Sequence, residues 1–234
     1  MINKLQNIIN KSQKIVFFSG AGISTDSGIP DFRSNTGLYK TNLSAEEMIS
    51  HSYFVSHTNE FFEFYRKAMI FPDAKPNYGH QFIAELGKTK DVSVVTQNID
   101  GLHQKAGSKK VYELHGSIHR NYCMNCHKFY SLEDILNMDV TPKCQCGGII
   151  KPDVVLYEEG LDEEVIRGAV NAIASCDTLV ILGTSLVVYP AASFVRYFRG
   201  DNLVIINKQA TSKDEYCDVV IHDSISETFK QIKI

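Results

Sequence analysis

The 234-residue sequence contains no apolar run near the roughly 20 residues that a membrane-spanning helix requires. Its first residues also lack the long apolar segment of a secretory signal peptide. The 24 Lys and Arg residues nearly balance the 27 Asp and Glu residues, and a net charge of −3 provides no basic field to attract nucleic acid. We therefore expect a globular protein of the cytoplasm that binds neither membranes nor nucleic acid. The sequence sets no oligomeric state, and a monomer is compatible with it.

Cysteine is scarce, yet four of the six cysteines are clustered. They form a Cys-x-x-Cys pair and a Cys-x-Cys pair with seventeen residues between them, at Cys123, Cys126, Cys144 and Cys146. Four thiolates at this spacing can close a tetrahedral Zn²⁺ site with no position left for water, which makes the site structural. Because cytoplasmic thiols stay reduced, we predict one structural Zn²⁺ rather than disulfides. The second pair is one residue shorter than the commoner spacing, but Gly147 and Gly148 give its backbone freedom. Cys176 and Cys217 are interpreted as ordinary buried thiols.

Short β-branched runs alternate with stretches of helical periodicity, which predicts an α/β fold with a doubly wound parallel sheet. The predicted strands are residues 14–18, 92–96, 178–182, 203–206 and 218–221. The predicted helices are residues 45–55, 60–70, 78–86, 162–175 and 191–198.

Two stretches interrupt this alternation, and we interpret them as insertions that form one small zinc-binding subdomain within a single catalytic domain, 1–234. The small subdomain would comprise a helical insert of about residues 32–75 and the zinc module of about residues 120–150. The large subdomain would comprise about residues 1–31, 76–119 and 151–234. A ligand cleft is expected between the two subdomains.

The first predicted strand runs into the turn Gly20-Ala21-Gly22, which continues to Thr25 and Pro30. A Gly-x-Gly turn at this place lets backbone amides approach a pyrophosphate, although an ordinary tight turn fits the segment equally well. Thr25 occupies the place of the usual third glycine, and no acidic residue follows about twenty residues later to hold the adenosine ribose. Asn207, after the strand 203–206, is a candidate to bind that ribose; a turn-forming asparagine is an equally good interpretation.

Polar residues also follow two other predicted strands. Ligands of open α/β sheets bind outside the carboxyl ends of strands, so Gln97, Asn98 and Asp100 are placed for function. A helix cap followed by a turn is the alternative interpretation of Asp100, because Gly101 follows it. A lone histidine is usually structural, but His115 lies between this strand end and the zinc module, a position that makes it a candidate catalytic residue.

Taken in order, these segments resemble the sirtuin family of NAD-dependent protein lysine deacylases, and its compact bacterial members in particular. The matching segments are residues 20–33, 96–103, 113–117, the four clustered cysteines, and residues 151–155, 183–186 and 206–207. The resemblance extends over about residues 14–225. It implies a Rossmann-like large domain, a small zinc domain, and a cleft in which NAD meets an acylated lysine of a protein or peptide.

The resemblance implies transfer of the acetyl group of acetyl-lysine to ADP-ribose, with NAD consumed as co-substrate and nicotinamide released. By analogy, His115 is the general base on a ribose hydroxyl, and Asn98 and Asp100 bind the carboxamide and ribose region. Phe32 would shield the reactive C1′ from water, and Arg33 would meet phosphate. Ile99 would line an apolar pocket. The other positions that match NAD-contacting positions of the family are Gly20, Ala21, Gly22, Thr25, Gln97, Gly183, Thr184, Ser185, Asn207 and Ile225.

In the family the peptide binds by strand addition, which fits loose recognition of peptide sequence. The residues expected to pair with the peptide are Val154, Val155, Leu156 and Tyr157 on one side and Leu186 and Val187 on the other. Glu158 stands where many members have glycine. It either favours a basic peptide or is simply solvated.

The acyl pocket is expected to be apolar. Succinyl-preferring relatives carry a Tyr and an Arg three residues apart, whereas the matching positions here are Phe62 and Tyr65, with Arg66 adjacent. We therefore expect acetyl or longer fatty acyl groups to be preferred over succinyl. Protein mono-ADP-ribosylation is the alternative activity. A non-catalytic NAD or zinc module is disfavoured because Asn98, Asp100 and His115 are all present.

Overall fold

The computed structural model describes residues 1–31 and 45–234. The strands of these ranges are β1 Lys14–Ser19, β2 Asp91–Thr96, β3 Val111–Glu113, β4 Gly116–Cys123, β5 Phe129–Ser131, β6 Ile150–Val154, β7 Thr178–Leu182, β8 Asn202–Ile206 and β9 Val219–Ile221. The α-helices are α1 Ile2–Lys11, α2 Ala45–Met48, α3 His51–Ser56, α4 Thr58–Ala68, α5 Tyr78–Leu86, α6 Leu102–Ala106, α7 Leu132–Leu136, α8 Glu163–Ser175 and α9 Ile225–Lys230.

Six of these strands form a parallel sheet in the order β3-β2-β1-β7-β8-β9. From β1 the chain moves outward to β3 on one side, and from β7 it moves outward to β9 on the other side. The strand order therefore reverses between β1 and β7, which is the point where ligands bind in open α/β sheets. The predicted Rossmann-like α/β fold is confirmed.

Helices cover both faces of this sheet, as the continuous apolar strands require. In β1, Ile15 and Phe17 point to the face covered by α1, α5 and α9. Val16 and Phe18 point to the opposite face, which α8 and the 3-10 helix Ala191–Tyr197 cover. All four side chains are fully buried, and burial of each contributes about 1.5–3 kcal/mol to stability. The strand ends are thereby held in fixed positions beneath the site.

Side-chain caps define where the covering helices begin. Asp162 accepts hydrogen bonds from the amides of Glu164 (2.8 Å) and Val165 (2.9 Å) at the start of α8. Asn77 and His80 form a reciprocal capping box at the start of α5. Such caps supply acceptors to amides that have no partner within the helix.

A second, antiparallel sheet has the order β5-β4-β6 and carries the first cysteine pair at the end of β4 and just beyond it. Helices α3 and α4 pack on it: Phe54, Phe61 and Phe62 form one buried cluster with Ile118 and Val154. The strand β4 begins before residue 120 and crosses the expected start of the zinc module. The division into a large and a small subdomain stays a prediction.

Arg66 links the helical insert to the zinc module. Its guanidinium donates hydrogen bonds to the carbonyl oxygens of Ile135 (2.7 Å) and Asp139 (2.6 Å), with longer bonds to those of Met138 and Val140. These oxygens lie in and just after α7, where carbonyls have no partner within the helix. One arginine therefore ties α4 to the zinc module.

One predicted helix is divided in two, and another is present as a different type of helix. The predicted helix 45–55 is two helices, α2 and α3, because Ser50 leaves helical geometry and caps α3 through its Oγ, which accepts from the amide of Tyr53. Ser50 also forms a parallel β-bridge with Tyr157, and this long-range pairing overrides the helical periodicity. The predicted α-helix 191–198 is a 3-10 helix, Ala191–Tyr197.

Among the helices of residues 1–31 and 45–234, none is long and apolar enough to cross a bilayer.

Candidate active site

The carboxyl ends of β1, β2 and β7 meet at the point where the strand order reverses. The turn after β1, the Gln97–Asp100 segment after β2 and the Gly183 loop after β7 are hydrogen-bonded to one another. Gly20 donates its amide to the carbonyl of Leu182 (3.0 Å), and Gln97 donates its amide to the carbonyl of Ser19 (2.9 Å). The sequence placed these three segments at one sheet edge, and the structure brings them together there.

The glycines of this edge let two loops touch. Gly22 donates its amide to the carbonyl of Gly183 (2.8 Å), and a Cβ on Gly22 would lie 2.6 Å from the Cα of Gly183. Gly183 has a φ of +57°, and a Cβ there would lie 2.5 Å from the amide nitrogen of Ile23. The glycine pair is therefore required by contact between the two loops, a reason that differs from the expected approach to a pyrophosphate.

Ser24 joins the two polar residues expected to act in catalysis. Its hydroxyl donates to Oδ2 of Asp100 (2.6 Å) and accepts from Nδ2 of Asn98 (3.1 Å). Asn98 also donates to the carbonyl of Gly20 (3.2 Å). Asp100 uses its other oxygen to accept from the amide of Leu102 (2.9 Å), two residues further on, which is a turn contact; the cap residue of α6 is Gly101. Burial raises the pKa of Asp100, while the bonds from Ser24 and Leu102 oppose that rise.

His115 is held by backbone on both sides. Its Nδ1 lies 2.9 Å from the carbonyl oxygen of Gln97, and its own carbonyl accepts from the amide of Val155 (3.0 Å). A carbonyl oxygen can only accept, so Nδ1 carries the hydrogen and Nε2 of the neutral ring keeps its lone pair. Burial lowers the pKa of His115 below the ordinary 6.5, and the bond to Gln97 opposes this only in part. The geometry is that of an oriented, neutral base.

Other expected NAD positions lie around this centre. Gln97 donates its side-chain amide to Oγ1 of Thr184 (3.1 Å), which joins the ends of β2 and β7. Thr25 and Ala21 lie in the turn after β1, and Ser185 is exposed in the loop after β7. Ile99 packs against the aromatic cluster of α3 and α4.

Asn207 and Ile225, two further expected NAD positions, make contacts within the protein. Asn207 follows β8 and donates its side-chain amide to the carbonyl of Gln209 (2.8 Å), which is the turn-forming contact. Ile225 begins α9 and is only 5% exposed, in the core that covers one sheet face. Phe32 and Arg33 lie outside the described residues.

The expected peptide-binding segment after β6 lies beside His115, whose carbonyl accepts from the amide of Val155 (3.0 Å). The strand β6 is an edge of its sheet, the position at which a further strand can add, although Val154 accepts at its carbonyl from Lys151 Nζ (3.0 Å) and Leu156 donates its amide to Glu159 (2.9 Å). Val154 and Leu156 are buried, whereas Tyr157 is 40% exposed. In the loop after β7, Leu186 is buried with a φ of +56° and Val187 is 51% exposed.

Neither sequence interpretation of Glu158 describes its main contact. Its carboxylate accepts from the amide (2.8 Å) and the hydroxyl (2.7 Å) of Ser52, in the first turn of α3. Glu158 has a φ of +77°, a conformation that glycine adopts readily. The side chain thus caps a helix from a position that otherwise favours glycine, and it fixes the segment after β6 to α3.

The four clustered cysteines fit one Zn²⁺. Their sulfur atoms all lie within 4.8 Å of one another. Measured separations are 3.4 Å for Cys123 and Cys146, 3.6 Å for Cys126 and Cys144, and 3.5 Å for Cys126 and Cys146. A tetrahedral site with Zn–S bonds of about 2.3 Å requires roughly 3.8 Å between sulfurs. The hydroxyl of buried Tyr130 donates to the sulfur of Cys144 (3.1 Å), an outer-shell bond that favours the thiolate.

Sequence reasoning did not assign a role to Ser24, although it lies within the first glycine-rich segment. It also missed Ser19, Thr96 and His103, which form a buried hydrogen-bonded group beneath Asn98. Their signal was present as polar residues in or next to apolar strands, where an unpartnered polar group is costly. Which residues serve as their hydrogen-bond partners becomes known only from the fold.

Known proteins resemble this chain over almost its whole length. Residues 20–190 match the family model described as Sir2 family. An NAD-dependent protein deacetylase of Clostridium acetobutylicum is 58% identical over 240 residues, covering 99% of this chain and 97% of that protein. A protein of the same name from Staphylococcus aureus strain N315 is 46% identical over 236 residues, covering 99% and 97%.

Solved structures have a fold similar to that of this chain over nearly its whole length. A Sir2 structure with a p53 peptide and NAD⁺ has a TM-score of 0.87 and 38% identity, covering 99% of this chain and 96% of that one. A Sir2 variant with deacetylated p53 peptide and 3′-O-acetyl-ADP-ribose has a TM-score of 0.88 and 38% identity, covering 98% and 96%.

Proposed function

The chain belongs to the Sir2 family, and from that membership we propose that it is an NAD-dependent protein lysine deacetylase. It would transfer the acetyl group of acetyl-lysine to ADP-ribose and release nicotinamide. The observation that carries this proposal is the bond between Nδ1 of His115 and the carbonyl oxygen of Gln97 (2.9 Å), which leaves Nε2 as the candidate base. His115 lies near Asn98 and Asp100. A proton acceptor is therefore close to polar side chains that can bind a nucleotide.

The residues around the strand ends have hydrogen-bonding groups that can bind NAD, and they lie where ligands of open α/β sheets bind. When bound, NAD supplies the ADP-ribosyl group that accepts the acetyl oxygen, with nicotinamide as the leaving group. The residues proposed to hold it are Gly20, Ala21, Gly22, Thr25, Gln97, Asn98, Ile99, Asp100, His115, Gly183, Thr184, Ser185, Asn207 and Ile225, together with Phe32 and Arg33. Support comes from the segments after β1, β2 and β7, which are hydrogen-bonded to one another at the point where the strand order reverses.

His115 is proposed as the general base that accepts a proton from a ribose hydroxyl at Nε2. A base with a pKa at or below neutral is unprotonated at pH 7 and is ready to accept. Gln97 acts here through its carbonyl, which fixes both the tautomer and the plane of the ring.

Asn98 and Asp100 are proposed to bind the carboxamide and ribose end of the nucleotide. Ser24 holds both of them in one arrangement before any ligand arrives, since its hydroxyl donates to Asp100 and accepts from Asn98. Such preorganisation lowers the cost of orienting the reacting groups.

The acetyl-lysine segment is proposed to enter as a strand beside β6, between Val154–Tyr157 and Leu186–Val187. The edge position of β6 and the exposure of Tyr157 and Val187 support this docking. We also propose one structural Zn²⁺ in the cysteine cluster and a cytoplasmic location, where those thiols stay reduced.

The acid limb of the pH profile should lie below pH 6.5. His115 must be unprotonated to act, and burial lowers its pKa, so activity is retained as the pH falls towards 6.5 and is lost only below it. The measurement is kcat/KM for NAD with an acetyl-lysine peptide from about pH 5 to pH 9, with the thermal stability checked at each pH. A half-maximal rate above pH 6.5 on the acid side would contradict the assignment.

Acetyl-lysine peptides should react faster than succinyl-lysine peptides. Phe62 and Tyr65 are fully buried in an apolar cluster, and Arg66 is committed to carbonyl oxygens after α7, so it offers no partner to a succinyl carboxylate. Turnover of matched acetyl, octanoyl and succinyl peptides measures this preference. Faster succinyl than acetyl turnover would overturn the apolar pocket.

Mass spectrometry of the reaction tests the proposed function itself. Loss of acetyl from the peptide only when NAD is present, together with an O-acetyl-ADP-ribose product, is the expected result. NAD-dependent nicotinamide release with ADP-ribose attached to protein would instead assign the mono-ADP-ribosyltransferase activity. The two outcomes separate the activities because they differ in which molecule gains the ADP-ribosyl group.

A further inference from the structure

Two buried histidines lie beneath the candidate site. His80 in α5 is 0% exposed and His103 in α6 is 1% exposed. Their ring centroids are 4.8 Å apart, and the ring planes meet at 65°. Neither residue belongs to the proposed catalytic or NAD-binding set, so the pair needs an explanation of its own.

The hydrogen bonds of His103 define its tautomer. Its Nε2 lies 2.9 Å from Oγ of Ser19, and the Ser19 hydroxyl donates to Oγ1 of Thr96 (2.9 Å). Since the Ser19 hydrogen is already used, His103 must donate from Nε2. Its Nδ1 is then a bare acceptor, and it is buried with no hydrogen-bond partner within residues 1–31 and 45–234.

The hydrogen bonds of His80 define its tautomer as well. Its Nδ1 accepts from the amide of Asn77 (3.3 Å) in the capping box of α5. The hydrogen of the neutral ring is therefore on Nε2, which is a donor. This Nε2 is also buried with no hydrogen-bond partner in the part of the chain that the structure describes.

Each histidine offers what the other lacks, because His80 has an unused donor and His103 has an unused acceptor. A buried polar atom without a partner is costly. The structure shows no bond between these two nitrogens, but the rings are neighbours with centroids 4.8 Å apart, and one bond between them would remove both costs. We propose that His80 Nε2–H donates to His103 Nδ1 and that this pair positions Asn98 through Ser19 and Thr96.

The proposed bond completes a buried chain of hydrogen bonds between the two halves of the candidate site. At one end, Asn77 donates its side-chain amide to the carbonyl of Ile23 (2.7 Å) and to Oγ of Ser27 (2.9 Å), in the turn after β1. At the other end, Thr96 Oγ1 accepts from the backbone amide of Asn98 (3.0 Å). The turn after β1 and the polar end of β2 are thereby held in a fixed relation.

Both rings stay neutral, as the chain of donors and acceptors requires. Burial lowers the pKa of His80 to about 4, and it lowers the pKa of His103 well below its ordinary value, with the neighbouring His80 acting in the same direction. The pair therefore acts as a fixed linkage and not as a pH switch in the neutral range.

The pair is tested directly by NMR on the ligand-free protein with ¹⁵N-labelled histidine. A scalar coupling between His80 Nε2 and His103 Nδ1 is expected, with hydrogens on Nε2 of both rings. Absence of the coupling, or a hydrogen on His103 Nδ1, would overturn the pair. This readout does not depend on activity, so an inactive wild-type protein would refute the proposed function while leaving the pair intact.

The positioning role rests on the proposed function, and it is tested by two substitutions of one residue. His103→Gln retains a donor at the place of Nε2, whereas His103→Phe removes both nitrogens. We expect His103→Phe to lower kcat by about 10–100-fold, by analogy with the loss of outer-shell partners of metal ligands, with His103→Gln within about threefold of wild type.

A matched control separates positioning from general core damage. Thr228→Val removes a buried hydroxyl that has no partner among the described residues and lies outside this chain of bonds. It should leave kcat unchanged. Equal losses of kcat in His103→Gln and His103→Phe, or a similar loss in Thr228→Val, would overturn the positioning role. Should His103→Phe not fold, Ser19→Ala interrupts the same chain and carries the same expectation.

Discussion

Replacing His115 with alanine is expected to lower the rate of NAD-dependent deacetylation by about 10²–10⁴-fold, the usual contribution of a general base. The Nε2 lone pair is lost, while Asn98, Ser24 and Asp100 keep their mutual hydrogen bonds because none of those bonds involves the ring. The loss should therefore fall on kcat, with a smaller change in KM for NAD. Steady-state kinetics with one acetyl-lysine peptide measure both constants.

The control for this variant is His57→Ala. His57 is exposed and stacks on Tyr53 outside the candidate site, so its removal should leave both constants unchanged. Thermal unfolding of the two variants shows whether the fold is kept. Retention of more than about a tenth of wild-type kcat in His115→Ala would remove His115 from the role of base.

Removal of the structural metal is expected to unfold the zinc module. Four sulfurs within 4.8 Å of one another hold the loop after β4 to the segment before β6, and the cluster beneath them is small: Cys123, Tyr130, Ile135, Cys144 and Ile150. Structural zinc in small modules contributes about 10–16 kcal/mol of apparent binding energy, so a core of this size does not replace it. Cys144→Ser should lose zinc and lower the melting temperature.

Two further variants serve as comparisons for the effect of Cys144→Ser. Cys217→Ser changes a cysteine far in sequence from the cluster and should keep both the zinc content and the melting temperature. Tyr130→Phe removes only the hydroxyl that donates to Cys144, so the metal should remain but pass to a chelator faster than in wild type. An unchanged melting temperature after complete zinc removal would show that the metal does not stabilise the module.

Much of the fold follows from patterns along the chain. The continuous apolar runs of β1, β7 and β8 predict strands buried on both faces, and each lies within one residue of its predicted range. The ordered motifs predicted the family, and the family match over residues 20–190 confirms it. The cysteine spacing predicted a cluster, which the four sulfurs form.

What the sequence could not provide depends on contacts between distant residues. The break between α2 and α3 follows from pairing of Ser50 with Tyr157, and the capping role of Glu158 follows from its contact with Ser52. Neither pairing leaves a local signal. The same holds for Ser24, whose hydroxyl meets Asp100 only because the turn after β1 and the end of β2 lie side by side.

The sequence identified glycine positions that matter, but the structure gives a different reason for them. Gly22 was expected to bring backbone close to a pyrophosphate, and Gly183 was expected as a position that contacts NAD. The structure shows that the two residues are in contact, with 2.6 Å between a built Cβ of Gly22 and the Cα of Gly183. Sequence motifs thus identify where a side chain is excluded, but the atom that excludes it becomes known only from the fold.

The most direct test of the account is product analysis by mass spectrometry with an acetyl-lysine peptide, with and without NAD, for wild type and His115→Ala. We predict one deacetylated peptide, one nicotinamide and one O-acetyl-ADP-ribose per NAD consumed, with about 10²–10⁴-fold less of each from the variant at matched time. Release of free acetate without NAD, or transfer of ADP-ribose to protein with the acetyl group retained, would contradict it.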